Sequence, residues 1–314
     1  MVSTGGGRLP YDVPAGLLAQ ARLGEDWSTW LDALPRVGAA VMDEWELTYD
    51  GPPWHGNASL VLPVHTRGGR PAALKLGWPD DEAEHEHRAL QHWHGRGAVQ
   101  LLRADPHRRV LLLERLHAEE DLTGLWDLEA CEVVAGLYRD LHVPAPPQLR
   151  TLTSYVERWA AGLAELPRQA PLPRRLVEQA LSLDRDFVAD PGSVGTMIHG
   201  DLHYENVLAG NREPWLAIDP KPVSGDPHYE LAPMLWNRWE EVVASGDVRD
   251  AVRRRFHTLV DAAELDEERA RDWIVVRELH NALWTIQDAA GRDLDAEDRE
   301  WLTVCVTIAK AVQG

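Results

Sequence analysis

Between Met197 and Asp219 the chain reads MIHGDLHYENVLAGNREPWLAID, and three of its side chains, Asp201, Asn206 and Asp219, carry oxygen at a spacing that suits phosphate chemistry. Residues 207–209 and 215–218 are apolar enough to be two strands, and GNREP between them is turn chemistry. Such a hairpin brings Asn206, just before its first strand, beside Asp219, just after its second, and the HGD turn precedes both. Hard oxygen donors of this kind suit Mg2+, which keeps waters and takes further ligands from substrate phosphates. Asp201 and Asn206 also keep the D-x-x-x-x-N spacing of a phosphotransferase catalytic loop, where the Asp accepts a hydroxyl proton and the Asn holds metal. The alternative is a polar turn capped by its own Asp and Asn, with His199 a satisfied core residue.

Phosphate transfer also needs a cation on the nucleotide phosphates and a carboxylate to hold that cation. Of 32 cationic residues only Lys75, Lys221 and Lys310 are lysines, and ammonium and guanidinium are not interchangeable at a phosphate. Lys75 lies in AALKLG, where Leu74 and Leu76 occupy one strand face and Ala73, Lys75 and Gly77 the other. On the helix expected after Pro79, Ala83, Glu86, Leu90 and Trp93 form one stripe, so Glu86 sits on the buried face, where a lone carboxylate is costly. Lys75 is its available partner, with Glu82 a competitor at the stripe's edge and two unrelated exposed charges the alternative. GPPWHGNAS, residues 51–59, occupies the place of a phosphate-covering hairpin without the G-x-G-x-x-G form, and a plain tight turn reads equally well. The backbone of VLLLERL, residues 110–116, suits an adenine edge, or is simply a buried edge strand.

Elements of two kinds must position these groups. Spacing of Leu17, Leu18, Trp27, Trp30, Leu31 and Leu34 predicts one or two amphipathic helices over residues 14–44, broken near Pro35. Aliphatic runs at 45–50, 58–66 and 70–77, joined by GPPWHG and Arg67-Gly68-Gly69, predict an antiparallel meander, and 99–103 with 109–114 a further hairpin. Helical periodicity then dominates: 126–142, 153–166, 173–189, 229–244, 248–263, 267–289 and 296–312. A small, mostly β part therefore precedes a larger helical part, with the 197–219 hairpin embedded in it.

The formal net charge of −19 disfavours nucleic acid as the main partner and favours a cationic small molecule. Cys131 and Cys305 supply neither a disulfide framework nor a paired-cysteine zinc pattern, so a reducing cytoplasm is expected. No secretory leader and no membrane span are read from the sequence, and a monomer or weak dimer is expected.

The block HGDLHYENVLAGNREPWLAIDPKPVSGDPHYELAPMLW resembles the aminoglycoside phosphotransferase family, in its streptomycin 6-kinase and hydroxyurea kinase branch. The likeness extends through LVLPV, ALKL, LLLERL, LHVPAPP, RRRF and LHNALWTIQDA, most of residues 45–290. It implies an α+β, protein-kinase-like bilobal fold: a helical extension (1–44), a small antiparallel-sheet N-lobe with one key helix and a hinge (45–116), and a mainly helical C-lobe (117–314), with ATP in the cleft. Residue by residue it makes Asp201 the catalytic base, Asn206 and Asp219 the Mg2+ ligands, and Lys75 the phosphate-binding lysine held by Glu86. Glu114, Arg115 and Leu116 become the adenine-binding hinge, and Asp226 a residue that orders its loop. Glu230 stands where many relatives carry a second aspartate. Glu230, Trp236, Glu240, Trp284 and Asp288 are the candidates for an acidic acceptor pocket; Trp284 and Asp288 form an i, i+4 pair suited to a guanidino or amino sugar, although a core is the commoner place for Trp. The implied activity is ATP- and Mg2+-dependent phosphorylation of an aminoglycoside such as streptomycin at its 6-hydroxyl. Hydroxyurea or another small hydroxyl metabolite, including an amino sugar, is the alternative acceptor. A nucleotide-binding regulator without catalysis is the alternative of another class.

Overall fold

The computed structural model of the chain describes residues 12–289 and 292–314. The Gly-rich stretch 1–10, expected to fray, lies outside them. Two units divide the chain: residues up to His117 together with Gly210–Pro214, and Ala118–Ala209 together with Trp215–Gly314.

Period-two alternation builds the first unit. Strands β1 (Thr48–Tyr49), β2 (Trp54–His55), β3 (Ser59–His65), β4 (Pro71–Gly77), β5 (Leu101–Asp105) and β6 (Val110–Glu114) form an antiparallel sheet in the order β1-β3-β4-β6-β5, with β2 also on β3. Leu60, Leu62 and Val64 of β3, Ala72, Leu74 and Leu76 of β4, and Val110 and Leu112 of β6 share one core. Each fully buried Leu contributes about 2 kcal/mol there. Helices α1 (Ala15–Leu18) and α2 (Glu25–Glu44) bring Leu17, Leu31, Leu34 and Val41 to that same core, so residues 14–44 pack as part of this unit. The expected break at Pro35 does not occur: α2 runs through it. Proline removes one intrahelical donor, but the buried stripe Leu31, Leu34, Gly38 and Val41 spans the site and holds both halves on the sheet. A 3-10 turn, Ala83–His85, leads into α3 (Glu86–Trp93), whose buried side is Glu86, Ala89, Leu90 and Trp93.

The second unit is mainly helical. A strand not expected from the sequence, β7 (His117–Asp121), comes first; HAEED has almost no apolar alternation, so only its backbone pairing marks it. Then follow α4 (Asp127–Leu141), β8 (Val143–Pro144), α5 (Leu152–Glu165), α6 (Arg174–Ala189), β9 (Thr196–Ile198), β10 (Val207–Ala209), β11 (Trp215–Ala217) and β12 (Val223–Gly225). Two small sheets result, β11-β10-β7 and β12-β9-β8. The single helix expected over 229–244 is instead a 3-10 turn, Pro227–Leu231, then α7 (Pro233–Trp236) and α8 (Trp239–Ala244). Pro233 has no N–H to donate into a preceding turn, and Arg238 takes a left-handed φ of 54°, so the path turns at both residues. Helices α9 (Val248–Ala263), α10 (Glu267–Asp288) and α11 (Ala296–Ala311) complete the unit. Asp247, Asp266 and Asp295 cap their N-termini, each worth about 1 kcal/mol. Helix α10 is the central one, packed on α5, α6 and α11, and its Trp273 stacks on Phe187 at 3.8 Å. Among the described residues no helix is long and apolar enough to cross a membrane.

Candidate active site

The HGD turn and the end of the 207–217 hairpin are tied together by backbone. Ile218 N–H donates to Asn206 O (2.9 Å), which continues the β10–β11 pairing and sets Asn206 one residue out of step with Asp219. Next, Lys221 N–H donates to His199 O (2.8 Å), and β12 then pairs with β9. The segment 218–225 thus runs back along residues 196–200. Gly200 is where the two stretches touch: its φ is +84°, and a Cβ there would lie 2.3 Å from Lys221 O, so only glycine fits.

Side chains complete the circuit. His199 is fully buried; its Nδ1 accepts Asp201 N–H (3.3 Å), so Nε2 carries the proton and donates to Ile218 O (2.9 Å). Burial pushes its pKa down, which keeps that tautomer neutral. Asn206 Nδ2 donates to Asp201 O (2.8 Å), turning the amide oxygen the other way. Asp219 adopts a left-handed φ of 55°, uncommon for a residue with a side chain and characteristic of sites where a strained backbone aims a functional group. Asp201 Oδ2 lies 2.8 Å from Lys221 Nζ.

Glu230 is placed differently from a pocket wall. It is 1% exposed; Oε1 accepts Gly200 N–H and Oε2 accepts His142 Nε2 (2.9 Å), while Tyr138 donates to its backbone carbonyl (3.0 Å). Burial alone would raise its pKa, but the bonds from His142 and Gly200 outweigh that and hold the carboxyl below the usual range. A glutamate arm is long enough to reach the loop from the turn after Asp226, and it spends both oxygens inside the unit. Asp226, 1% exposed, binds Arg269 Nε, Trp273 Nε1 and His228 Nδ1, each at 2.6 Å, an architectural knot.

In the first unit Lys75 Nζ meets Glu86 Oε1 at 2.7 Å, both side chains 8% exposed, while Glu82 is exposed. Glu114 Oε1 accepts Gln100 N–H (2.7 Å) and Arg212 Nη2 (2.8 Å), and Glu114 N–H donates to Gln100 O (2.9 Å). Arg115 donates Nε to Ala72 O (2.8 Å) and Nη2 to Val64 O (2.9 Å), so its guanidinium staples strand ends and only backbone is left for a ligand. Leu116 is half-buried beside them.

Two of the expected acceptor residues come together. Trp236 and Trp284 both flank the Arg277 guanidinium, whose carbon lies 5.8 and 5.1 Å from their ring centroids and 4.7 Å from that of Tyr229. Trp284 also meets Trp159 edge-on at 4.9 Å, so it packs on a second aromatic ring as well as on Arg277. Glu240 and Asp288 are exposed on α8 and at the end of α10.

A family model described as aminoglycoside/hydroxyurea antibiotic resistance kinase matches residues 44–289. The chain belongs to that family. It is 43% identical to a streptomycin 6-kinase of Streptomyces glaucescens over 312 residues, 96% of this chain and 97% of the relative. With a hydroxyurea phosphotransferase of Kitasatospora aureofaciens it shares 42% over 285 residues, 88% and 81% of the two chains. Among solved structures it resembles choline kinase LicA from Streptococcus pneumoniae at a TM-score of 0.56 and 13% identity, covering 87% of this chain and 98% of that one. The fold is therefore protein-kinase-like, α+β.

For a member of this kinase family the donor set is chemically apt. Asn206 and Asp219 offer hard oxygens, and among the described residues no group of three His, Cys, Asp or Glu side chains forms a metal cage. Mg2+ requires none, because phosphate oxygens and water fill the rest of its shell. The contacts of His142 with Glu230 and of Lys221 with Asp201 were not expected from the sequence. Their only signal was chemical: Lys221 is one of three lysines, and it follows Asp219 by two residues.

Proposed function

We propose that the chain transfers the γ-phosphate of ATP, with Mg2+, to a hydroxyl of an aminoglycoside, streptomycin at its 6-position before others. The observation that carries this reading is the closed circuit joining the HGD turn to the end of the hairpin, in a chain 43% identical to a streptomycin 6-kinase along nearly all its length. Asp201 takes the acceptor proton as the hydroxyl oxygen attacks the γ-phosphorus in line. Lys75, held by Glu86, offsets charge on the nucleotide phosphates, and the backbone of Glu114, Arg115 and Leu116 receives the adenine edge. Asn206 and Asp219 would hold Mg2+, which when bound neutralises charge on the phosphates. Net acidity, with Glu240 and Asp288 exposed, suits a guanidino sugar over a neutral acceptor.

Hydroxyurea is the second reading, and one observation favours it. Trp236 and Trp284 already face the Arg277 guanidinium, and that positive charge is easier on a neutral acceptor than on a cationic one. ADP release measured with streptomycin, other aminoglycosides, hydroxyurea and simple sugars separates the two. The expected result is the highest kcat/KM with streptomycin; turnover only with neutral acceptors would contradict it.

A further inference from the structure

We propose that Lys221 is a positioning residue for Asp201: its ammonium fixes one carboxylate oxygen so that the other is aimed at the acceptor hydroxyl. The catalytic loop HGDLHYEN contains neither Lys nor Arg, so any cation beside its aspartate must come from elsewhere. Lys221 supplies one, with Nζ 2.8 Å from Asp201 Oδ2. Its backbone is held at both ends of the peptide, N–H on His199 O at 2.8 Å and carbonyl pressed against Gly200. Pro220 and Pro222 flank it and restrict the chain on either side. Two residues twenty positions apart are thereby set side by side by backbone contacts independent of their own charges.

Stability does not account for the pair. Lys221 is 40% exposed and Asp201 18%, and half-exposed ion pairs add little to folding. A charge-assisted hydrogen bond nevertheless fixes direction, and a base must be aimed. In the transfer step the bond from acceptor oxygen to γ-phosphorus forms while the bond from γ-phosphorus to the bridging oxygen of ATP breaks. The hydroxyl proton passes to Asp201 Oδ1, ADP leaves, and Lys221 exchanges nothing. Arginine in this place has a different reach and a planar fork, which accounts for a lysine in so arginine-rich a chain.

This inference rests on the phosphotransfer reading, and its test keeps the two apart. The full chain would be assayed as wild type, Lys221→Met, Lys221→Arg and Lys221→Ala with added ethylamine, using ATP, Mg2+ and streptomycin or hydroxyurea. Lys221→Met is expected to lose about 10- to 100-fold in kcat, with KM for ATP unchanged, since small misplacements cost up to that much. Lys221→Arg should recover part of the loss, and ethylamine part of the loss in Lys221→Ala. A direct readout uses the scarcity of lysine: 15N-lysine labelling gives three side-chain signals, and one should move on Asp201→Asn without any nucleotide. Wild-type kcat in Lys221→Met, or three lysine signals indifferent to Asp201→Asn, would overturn the inference while leaving the phosphotransfer reading intact. Wild type inert with every acceptor would defeat that reading and this one together. Should Lys221→Met fail to fold, the Arg variant and the NMR comparison decide.

Discussion

A buried carboxylate is the most legible thing a sequence can contain, because it must be answered. Glu86 lies on the apolar stripe of α3, and Lys75 was the ammonium within reach; the two meet at 2.7 Å. Breaking such a pair from one side leaves a charge without its partner in a poor solvent. Lys75→Met should therefore cost about 3–5 kcal/mol in urea unfolding, and adding Glu86→Leu should return most of it. A loss below 1 kcal/mol would mean that the pair is effectively solvated. The other contacts at this scale were hidden for a reason equally physical. Lys221 reaches Asp201 and Glu230 reaches Gly200 only because residues 218–225 fold back on 196–200, and hydropathy carries no record of that return.

Elements were read well where periodicity was strong and poorly where backbone chemistry decided. Helix α9 matches its expected span, and β10 and β11 fall within theirs, because apolar spacing and turn residues agree there. Pro35 did not end α2, since a continuous buried stripe outweighs one lost donor. Pro233 and Arg238 did divide 229–244, where the proline has no N–H to donate and Arg238 takes a left-handed φ of 54°. Helix α10 carries a feature that patterning alone does not price. Glu278 is fully buried on it; burial pushes its pKa up to about 8, and Oε1 has no hydrogen-bond partner among the described residues. Its ordinary value is 4.5, so between that pH and about 8 the unfolded chain gains by ionising while the folded chain stays protonated. Folding stability from this group is full below pH 4.5 and falls by about 1.4 kcal/mol per pH unit up to about 8. Glu278→Gln should accordingly raise Tm at pH 8 and leave it nearly unchanged near pH 4.5. Equal Tm values for the two proteins at pH 8 would refute this assignment.

At the scale of the whole molecule, fold and family were legible because the motif blocks are spread from strand β3 through α10, within the stretch that the family model matches, and phosphate chemistry accounts for their residue types together. The acceptor was not. Trp236 and Trp284 are brought together, but around the chain's own Arg277, and whether a ligand cation or a neutral molecule sits near them depends on the balance of that guanidinium against a net charge of −19. Sequence supplies both terms of that balance without their distances, and relatives named for streptomycin and for hydroxyurea are nearly equally similar, at 43% and 42% identity. The chemistry proposed at Asp201 is common to either acceptor, so it is the point on which everything else turns. The most direct measurement follows phosphate transfer from ATP to streptomycin and to hydroxyurea by 31P NMR, in wild type and Asp201→Asn, alongside the thermal shift produced by ATP with Mg2+. Transfer by the wild type, its loss in Asp201→Asn and an equal nucleotide shift in both proteins are the expected results; undiminished transfer by Asp201→Asn would contradict the account.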